Sequence, residues 1–194
     1  MNYKKLYDTL YLNGYHEDGT NIGKGLVEYL TDNFEFKTIL DIGCSQGYAV
    51  QEYINKDKKA YGIDISEIAI EKAHSLDIMS CFQGSVTSIP FSDNMFEAVV
   101  TSDVLEHLEE QDIKIAIKEI LRVATKYLFI KVSHLPEGNK KWINFLHENK
   151  LYENIDNLHV SVFPFRKWKE MFEETGKVKF LKKEHKILIF EVIK

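Results

Sequence analysis

Cysteine is scarce, with only Cys44 and Cys81 in 194 residues. Paired-cysteine metal spacing is therefore missing and a disulfide framework is excluded. A reducing compartment, the cytoplasm, is the expected setting. No apolar run is long enough to cross a bilayer, and the opening residues Met1 to Asp8 lack the apolar core of a signal peptide. Positive charge is not in excess either. The formal net charge is −5, no lysine- or arginine-rich arm is present, and general attraction to nucleic acid or an anionic membrane is not expected. No repeat, low-complexity tract or linker divides the chain, so residues 1–194 are expected to form one domain.

Against these absences stands Ile39-Leu40-Asp41-Ile42-Gly43-Cys44-Ser45-Gln46-Gly47-Tyr48. An apolar run ends in an acidic residue, and a loop with two glycines leads into apolar residues at helical spacing. This reads as strand, tight turn and helix start. Gly43 and Gly47 can take positive φ and let a ligand approach the backbone. Free N–H groups at the helix start suit a carboxylate or phosphate. The spacing D-x-G-x-x-x-G is not the dinucleotide fingerprint G-x-G-x-x-G, so NAD is not expected. Asp41 would repel a phosphate and prefers an ammonium, so a ligand carrying both ammonium and carboxylate fits better.

Around that stretch strands alternate with helices. Strands are expected at Thr38 to Ile42, Ala60 to Asp64, Ile78 to Phe82, Phe96 to Thr101 and Tyr127 to Val132. Thr20 or Asn21 can cap a helix carrying Ile22, Leu26, Tyr29 and Leu30, and Ser66 can cap another. Ile113, Ala116, Ile117, Ile120 and Leu121 recur at amphipathic-helix spacing. Near Lys141 to Asn149 and after Pro164 two further helices are expected, before a hairpin of Val178 to Leu181 and Ile187 to Ile193. The expected fold is α/β: a Rossmann-like, doubly wound, mostly parallel seven-stranded sheet with helices on both faces and a C-terminal antiparallel hairpin. Tyr3, Tyr7, Tyr11 and Tyr15 stand at steps of four, along one side of a helix. Residues 1–21 are expected as an N-terminal lid and residues 133–163 as an insertion covering the carboxyl edge of the sheet. Asp64 ends the strand after the glycine loop, where a carboxylate can accept both hydrogens of a ribose diol.

The order of these segments resembles the class I methyltransferases that use S-adenosylmethionine (SAM). The resemblance rests on Asp41 to Gly47, Gly62-Ile63-Asp64-Ile65-Ser66, Ile89 to Val99 and Ser102-Asp103-Val104-Leu105-Glu106-His107-Leu108. It implies that Asp41, Gly43, Cys44 and Gly47 hold the methionine part of the cofactor and that Asp64 binds its ribose. Ile65 would lie on the adenine, Ser85 and Val86 would reach the adenine edge, and Asp103 and Val104 would line the methionine side. The family's loop commonly has an acid where this chain has Gly84-Ser85-Val86, and the Ser85 hydroxyl would accept from the adenine amino group instead. SAM and its product S-adenosylhomocysteine (SAH) are the expected ligands, and no metal is expected.

An alcohol acceptor needs a base, and histidine is the usual one. His107, His134 and His159 all fall on the acceptor side. Phosphobase methyltransferases pair a comparable histidine with an N-terminal tyrosine, so by resemblance Tyr15 or Tyr11 would close over His107. His159 to Trp168 is similar to a segment of small-molecule and sugar-modifying members, with Arg166-Lys167 free to face an anionic or polyhydroxyl acceptor. The expected reaction is O-methylation of a small polar acceptor, such as a sugar or nucleotide-sugar hydroxyl. N-methylation of a small amine or phosphobase, an RNA or protein methyltransferase, and a non-catalytic SAM-binding module are the alternatives. A monomer or homodimer is expected.

Overall fold

Short, largely apolar and largely buried runs set the central strands of the computed structural model. It describes residues 2–16, 23–133, 140–150 and 156–193. The strands are Thr38–Ile42 (β1), Lys59–Asp64 (β2), Cys81–Gln83 (β3), Phe96–Ser102 (β4), Ala124–Lys131 (β5), Val178–Glu184 (β6) and Ile187–Val192 (β7). They form one sheet in the order β3-β2-β1-β4-β5-β7-β6. β1 to β5 pair in parallel, and β7 runs antiparallel to both β5 and β6. This is the expected Rossmann-like sheet, mostly parallel with an antiparallel C-terminal hairpin.

The helices are Tyr3–Leu12 (α1), Lys24–Asn33 (α2), Tyr48–Asn55 (α3), Glu67–Ser75 (α4), Glu110–Val123 (α5), Lys140–Glu148 (α6) and Phe165–Glu173 (α7). From Ala98 onward the side chains of β4 alternate between the two faces, and the register shift between Phe96 and Ala98 puts Phe96 on the same face as Val99. Phe96 and Val99 join a core built with Ile113, Ile117 and Ile120 of α5 and with Trp168 and Phe172 of α7. Ala98 and Val100 join another core with Val27 and Leu30 of α2, Val50 and Tyr53 of α3 and Ile70 and Ala73 of α4. In a third cluster Leu6, Leu10, Tyr11 and Tyr15 pack against Ala69, Trp142, Leu146 and Leu158. That cluster exists because α1 and α6 each carry an apolar stripe that the two sheet faces do not cover.

Local chemistry explains most element ends. Ser66 caps α4 by accepting from the Ala69 amide at 3.2 Å, worth about 1 kcal/mol. The strand expected from Ile78 begins only at Cys81, because α4 closes with Asp77 at positive φ and the Ile78 amide still bonding the Ala73 carbonyl. Ile78 is buried by packing in that turn and not by strand pairing. α1 stops at Leu12, where the Asn13 side chain returns to the Thr9 carbonyl, so Tyr15 stands beyond the helix. α2 starts behind Gly23; Thr20 and Asn21, named as its caps, lie outside the described residues.

Gly62 shows why the glycine loop can lie against β2. A Cβ there would stand 2.7 Å from both Cβ and Sγ of Cys44 and 2.8 Å from Val50. No side chain fits between the loop and the strand.

Candidate active site

The carboxyl ends of β1, β2, β4 and β5 open into one cavity of about 600 Å³. Asp41, Gly43, Cys44, Asp64, Ile65, Ser85, Val86, Asp103 and Val104 line it, as do Tyr15, His107 and His159. Gly47 does not line it. Its place is structural: it caps α3 at φ 79°, with Cys81 Sγ only 2.7 Å from where a Cβ would be. His134 lies outside the described residues.

The glycine loop is held largely by its own amides. Gly43 and Cys44 N–H both donate to the Ile63 carbonyl, at 2.8 and 3.0 Å, and Gly47 N–H donates to the Cys44 carbonyl. The Ser45 amide donates to Asp64 Oδ2 at 2.9 Å. These four amides therefore do not greet a ligand, contrary to the expectation for the loop; the helix start behind them keeps that capacity. A Cβ on Gly43 would stand 2.3 Å from Val104 Cγ2, so only glycine lets the loop meet the turn after β4.

The two carboxylates differ in their partners. Asp64 accepts from the Ser45 and Ser66 amides, one on each oxygen. Asp41 is buried, lines the cavity and makes no side-chain hydrogen bond to any described residue. Burial, and then the nearby Asp64 charge, push its carboxyl up to about 7. Burial also raises Asp64, to about 6, against the pull of its two amide donors. A cation at this end of the cavity reverses both shifts. The residues present thus fit a ligand with an ammonium group, such as the methionine part of SAM.

Asp103 is one of three non-glycine residues of the cavity wall at positive φ, with His16 and Ser45. Such strain concentrates at functional sites. It turns the Asp103 carboxylate onto Lys131, whose Nζ also donates to Ser102 Oγ at 3.1 Å.

His107 sits in a short 3-10 turn, Leu105–His107, after β4. Its Nδ1 is 3.0 Å from the Leu158 carbonyl. A carbonyl only accepts, so Nδ1 carries the proton and Nε2 presents its lone pair. Burial, with the neighbouring His159, lowers the imidazole to about 4, so the ring is neutral at ordinary pH. The His159 ring is 4.7 Å away and edge-on. The tyrosine whose ring meets His107 is Tyr7, at 5.9 Å. Tyr15, expected there, instead packs on Tyr7, Tyr11, His16 and Trp142. Tyr3, Tyr7, Tyr11 and Tyr15 all border the cavity.

Glu106, beside His107, escaped notice in the sequence. It is fully buried, Oε1 accepts from the Ser133 amide, and Oε2 has no hydrogen-bond partner among the described residues. Burial raises its carboxyl to about 7. The Ser161 amide bonds its backbone carbonyl at 2.9 Å, so Glu106 joins the turn, the end of β5 and the segment before α7.

Residues 40–127, the segment from β1 into β5, match the family model described as Methyltransferase domain. No curated protein matches the sequence. Among solved structures, a TehB-like SAM-dependent methyltransferase from Corynebacterium glutamicum is similar at 16% identity, covering 99% of this chain and 98% of that one, with a TM-score of 0.66. The magnesium protoporphyrin IX methyltransferase of Synechocystis, solved with bound SAH, is similar at 14% identity over 87% of this chain and 80% of that one, with a TM-score of 0.61. A chain from a Haloferax volcanii complex with the Trm112 methyltransferase activator is similar at 14% identity over 96% of each chain, with a TM-score of 0.69. At these identities the structural likeness speaks for the fold. Joined to the methyltransferase-domain match over residues 40–127, which hold Asp41, Asp64 and Asp103, it gives this chain the fold of the SAM-dependent methyltransferases.

Proposed function

We propose that the chain methylates the hydroxyl of a small polar acceptor, a sugar-like hydroxyl first among them, with His107 as the general base. The observation that carries this reading is the fixed tautomer of His107. The Leu158 carbonyl holds the Nδ1 proton, which leaves Nε2 as the acceptor atom of a neutral ring on the cavity wall.

SAM supplies an electrophilic methyl on a sulfonium. The chain's own groups do the rest. In this reading Asp41 faces the cofactor ammonium, and Asp64, braced by two amides, receives the ribose diol with its remaining lone pairs. Ile65, Ser85 and Val86 border the adenine. Ser85 Oγ already accepts from the Thr87 amide at 3.2 Å and pairs with Thr87 Oγ1 at 2.8 Å, which orients its hydroxyl. On the acceptor side an oxygen–carbon bond forms as the sulfur–carbon bond breaks, and the hydroxyl proton passes to His107 Nε2. Tyr7 and His159 hold that ring between them.

A second reading has one observation in its favour. The wall of four tyrosines suits a cationic or amine acceptor, as in N-methylation of a small amine. Transfer of labelled methyl from SAM to panels of small alcohols and small amines separates the two. Label in an alcohol product is expected; label only in amines, or none in small molecules, would overturn the first reading.

Of the cover expected from residues 1–21 and 133–163, part of which lies outside the described residues, α1 borders the site and α6 packs behind it in this reading. α1 is tied down by Asp8, which accepts from Ser66 Oγ at 2.7 Å, and by Lys72, which donates to the Tyr11 carbonyl at 2.8 Å. Trp142 of α6 packs on Tyr15. Closure of this kind excludes water from the reacting groups. Hydrogen exchange in α1 and α6 is expected to slow when SAH is added. Equal exchange with and without SAH would make both segments plain scaffold.

A further inference from the structure

Ionisable groups around the cavity are sorted by sign. At the ends of β1 and β2 stand Asp41 and Asp64. At the ends of β5 and β7 stand Lys131 and Lys186, with His107 and His159 nearby. The two lysines are neighbours by register: Lys131 pairs with Ile187, and the Val132 amide bonds the Lys186 carbonyl.

Part of their hydrogen-bonding capacity is unspent. An ammonium has three donors. Lys131 uses one on Ser102 and one on Asp103, which leaves a third. Lys186 borders the cavity and makes no side-chain hydrogen bond or ion pair to any described residue. Asp103 is the cavity-lining carboxylate at this end, and its charge is already met by Lys131. Glu106 lies behind, fully buried and outside the lining, with its carboxyl raised toward the neutral form. His107 is neutral. The positive charge at this end that no described carboxylate meets is therefore that of Lys186, with the paired Lys131 beside it. The pair singled out from sequence does not share the place: Arg166 is 88% exposed and bonds Glu170, Lys167 bonds Glu110, and neither lines the cavity. In a chain of net charge −5, two neighbouring lysines on the cavity border make a local cationic end that attracts anions.

We propose that Lys131 and Lys186 form an anion-recognising end of the acceptor site, so that the methyl acceptor is a small organic anion carrying a phosphoryl or carboxylate group. The proposal rests on the small-acceptor reading above and adds the acceptor's charge. The anionic group sits on the lysines, which places the rest of the acceptor toward His107 and the donor methyl.

The test uses the full-length protein saturated with SAH. Its thermal midpoint is followed in rising inorganic phosphate and, separately, in rising acetate, each against chloride at equal ionic strength. The wild type is expected to show a saturable rise beyond chloride with one of the two, and the one that acts tells phosphoryl from carboxylate. Lys186→Met, at an exposed position that does not threaten folding, is expected to weaken the apparent affinity roughly tenfold, the size of one charged contact of about 1.4 kcal/mol. Lys131→Gln should do the same, and Lys118→Met on the exposed face of α5 should change nothing. A wild type that responds to neither anion beyond chloride, or a Lys186→Met protein that responds like wild type, overturns the proposal. Calorimetry of SAH binding in each protein keeps the two failures apart. Loss of SAH binding in the wild type would sink the methyltransferase reading itself, whereas SAH binding without an anion effect sinks only this inference.

Discussion

His107→Ala is expected to lower turnover by about 10²–10⁴-fold, the usual contribution of a positioned general base, while SAH affinity stays unchanged. The two readouts separate because His107 hangs from the turn after β4 and its Nδ1 bond runs to Leu158, not to the cofactor loop. With the imidazole lowered to about 4, the base is already deprotonated across the neutral range. Protonation of His107 should therefore not cut the rate near neutral pH. A single-turnover assay with labelled SAM reads the chemical step directly. Near wild-type turnover in His107→Ala would remove the base from the mechanism and favour an amine acceptor or catalysis by alignment alone.

SAM affinity is expected to rise with pH through the range where Asp41 and Asp64 ionise, about 7 and about 6 in the protein without cofactor. A protonated carboxyl cannot pair with an ammonium, so binding at lower pH must first release a proton. The same groups act on stability with the opposite sign. Their folded values lie above the ordinary carboxylate value of 3.8, so the folded state holds extra protons. That contribution is full below the ordinary value and is lost as pH rises through 6 to 7. The cofactor-free protein should thus melt at a lower temperature at pH 8 than at pH 5, and SAM should recover more of the difference at pH 8. Asp64→Ala should weaken binding by about 1.5–3 kcal/mol, the size of a charged hydrogen bond. Asp41→Asn should flatten the pH dependence. Calorimetry across this pH range checks all three, and pH-independent affinity in the wild type would sink the assignment of the cofactor ammonium to Asp41.

What the sequence reveals and what it hides divides along chain separation. The strands carrying Asp41 and Asp64, the Ser66 cap and the apolar stripe of α5 depend on residues within a few positions of one another, so periodicity and capping chemistry expose them. The pairing of His107 with Leu158 spans 51 residues, and Tyr7 reaches His107 from the far end of the chain. The resemblance to phosphobase methyltransferases put Tyr15 or Tyr11 over His107, and nothing in the local spacing shows that the helix stops at Leu12 and turns Tyr15 toward Trp142. The loop amides also misled. A glycine turn before a helix looks like open donors, yet the Ile63 carbonyl and the Asp64 carboxylate use three of them. Lys186 carries no local pattern; only the antiparallel return of β7 beside β5 brings it to the cavity.

Tyr3 links the first turn of α1 to the first turn of α5. Its hydroxyl donates to Asp112 at 2.9 Å and accepts from the Glu109 amide at 3.0 Å, and Glu109, the residue at which α5 begins, offers no side-chain cap of its own. Burial raises the phenol to about 12, so it keeps its proton and both bonds at any physiological pH. Helix α5 is therefore capped in trans, by a residue more than a hundred positions away. Two bonds of this kind are worth about 1–3 kcal/mol together, an equilibrium factor of roughly 5 to 150. Thermodynamic reciprocity then holds between the two helices. Whatever frays the start of α5 loosens the wall of the cavity by the same factor, and whatever seats α1 tightens α5, so the stability of a buried helix reports the docking of a surface one.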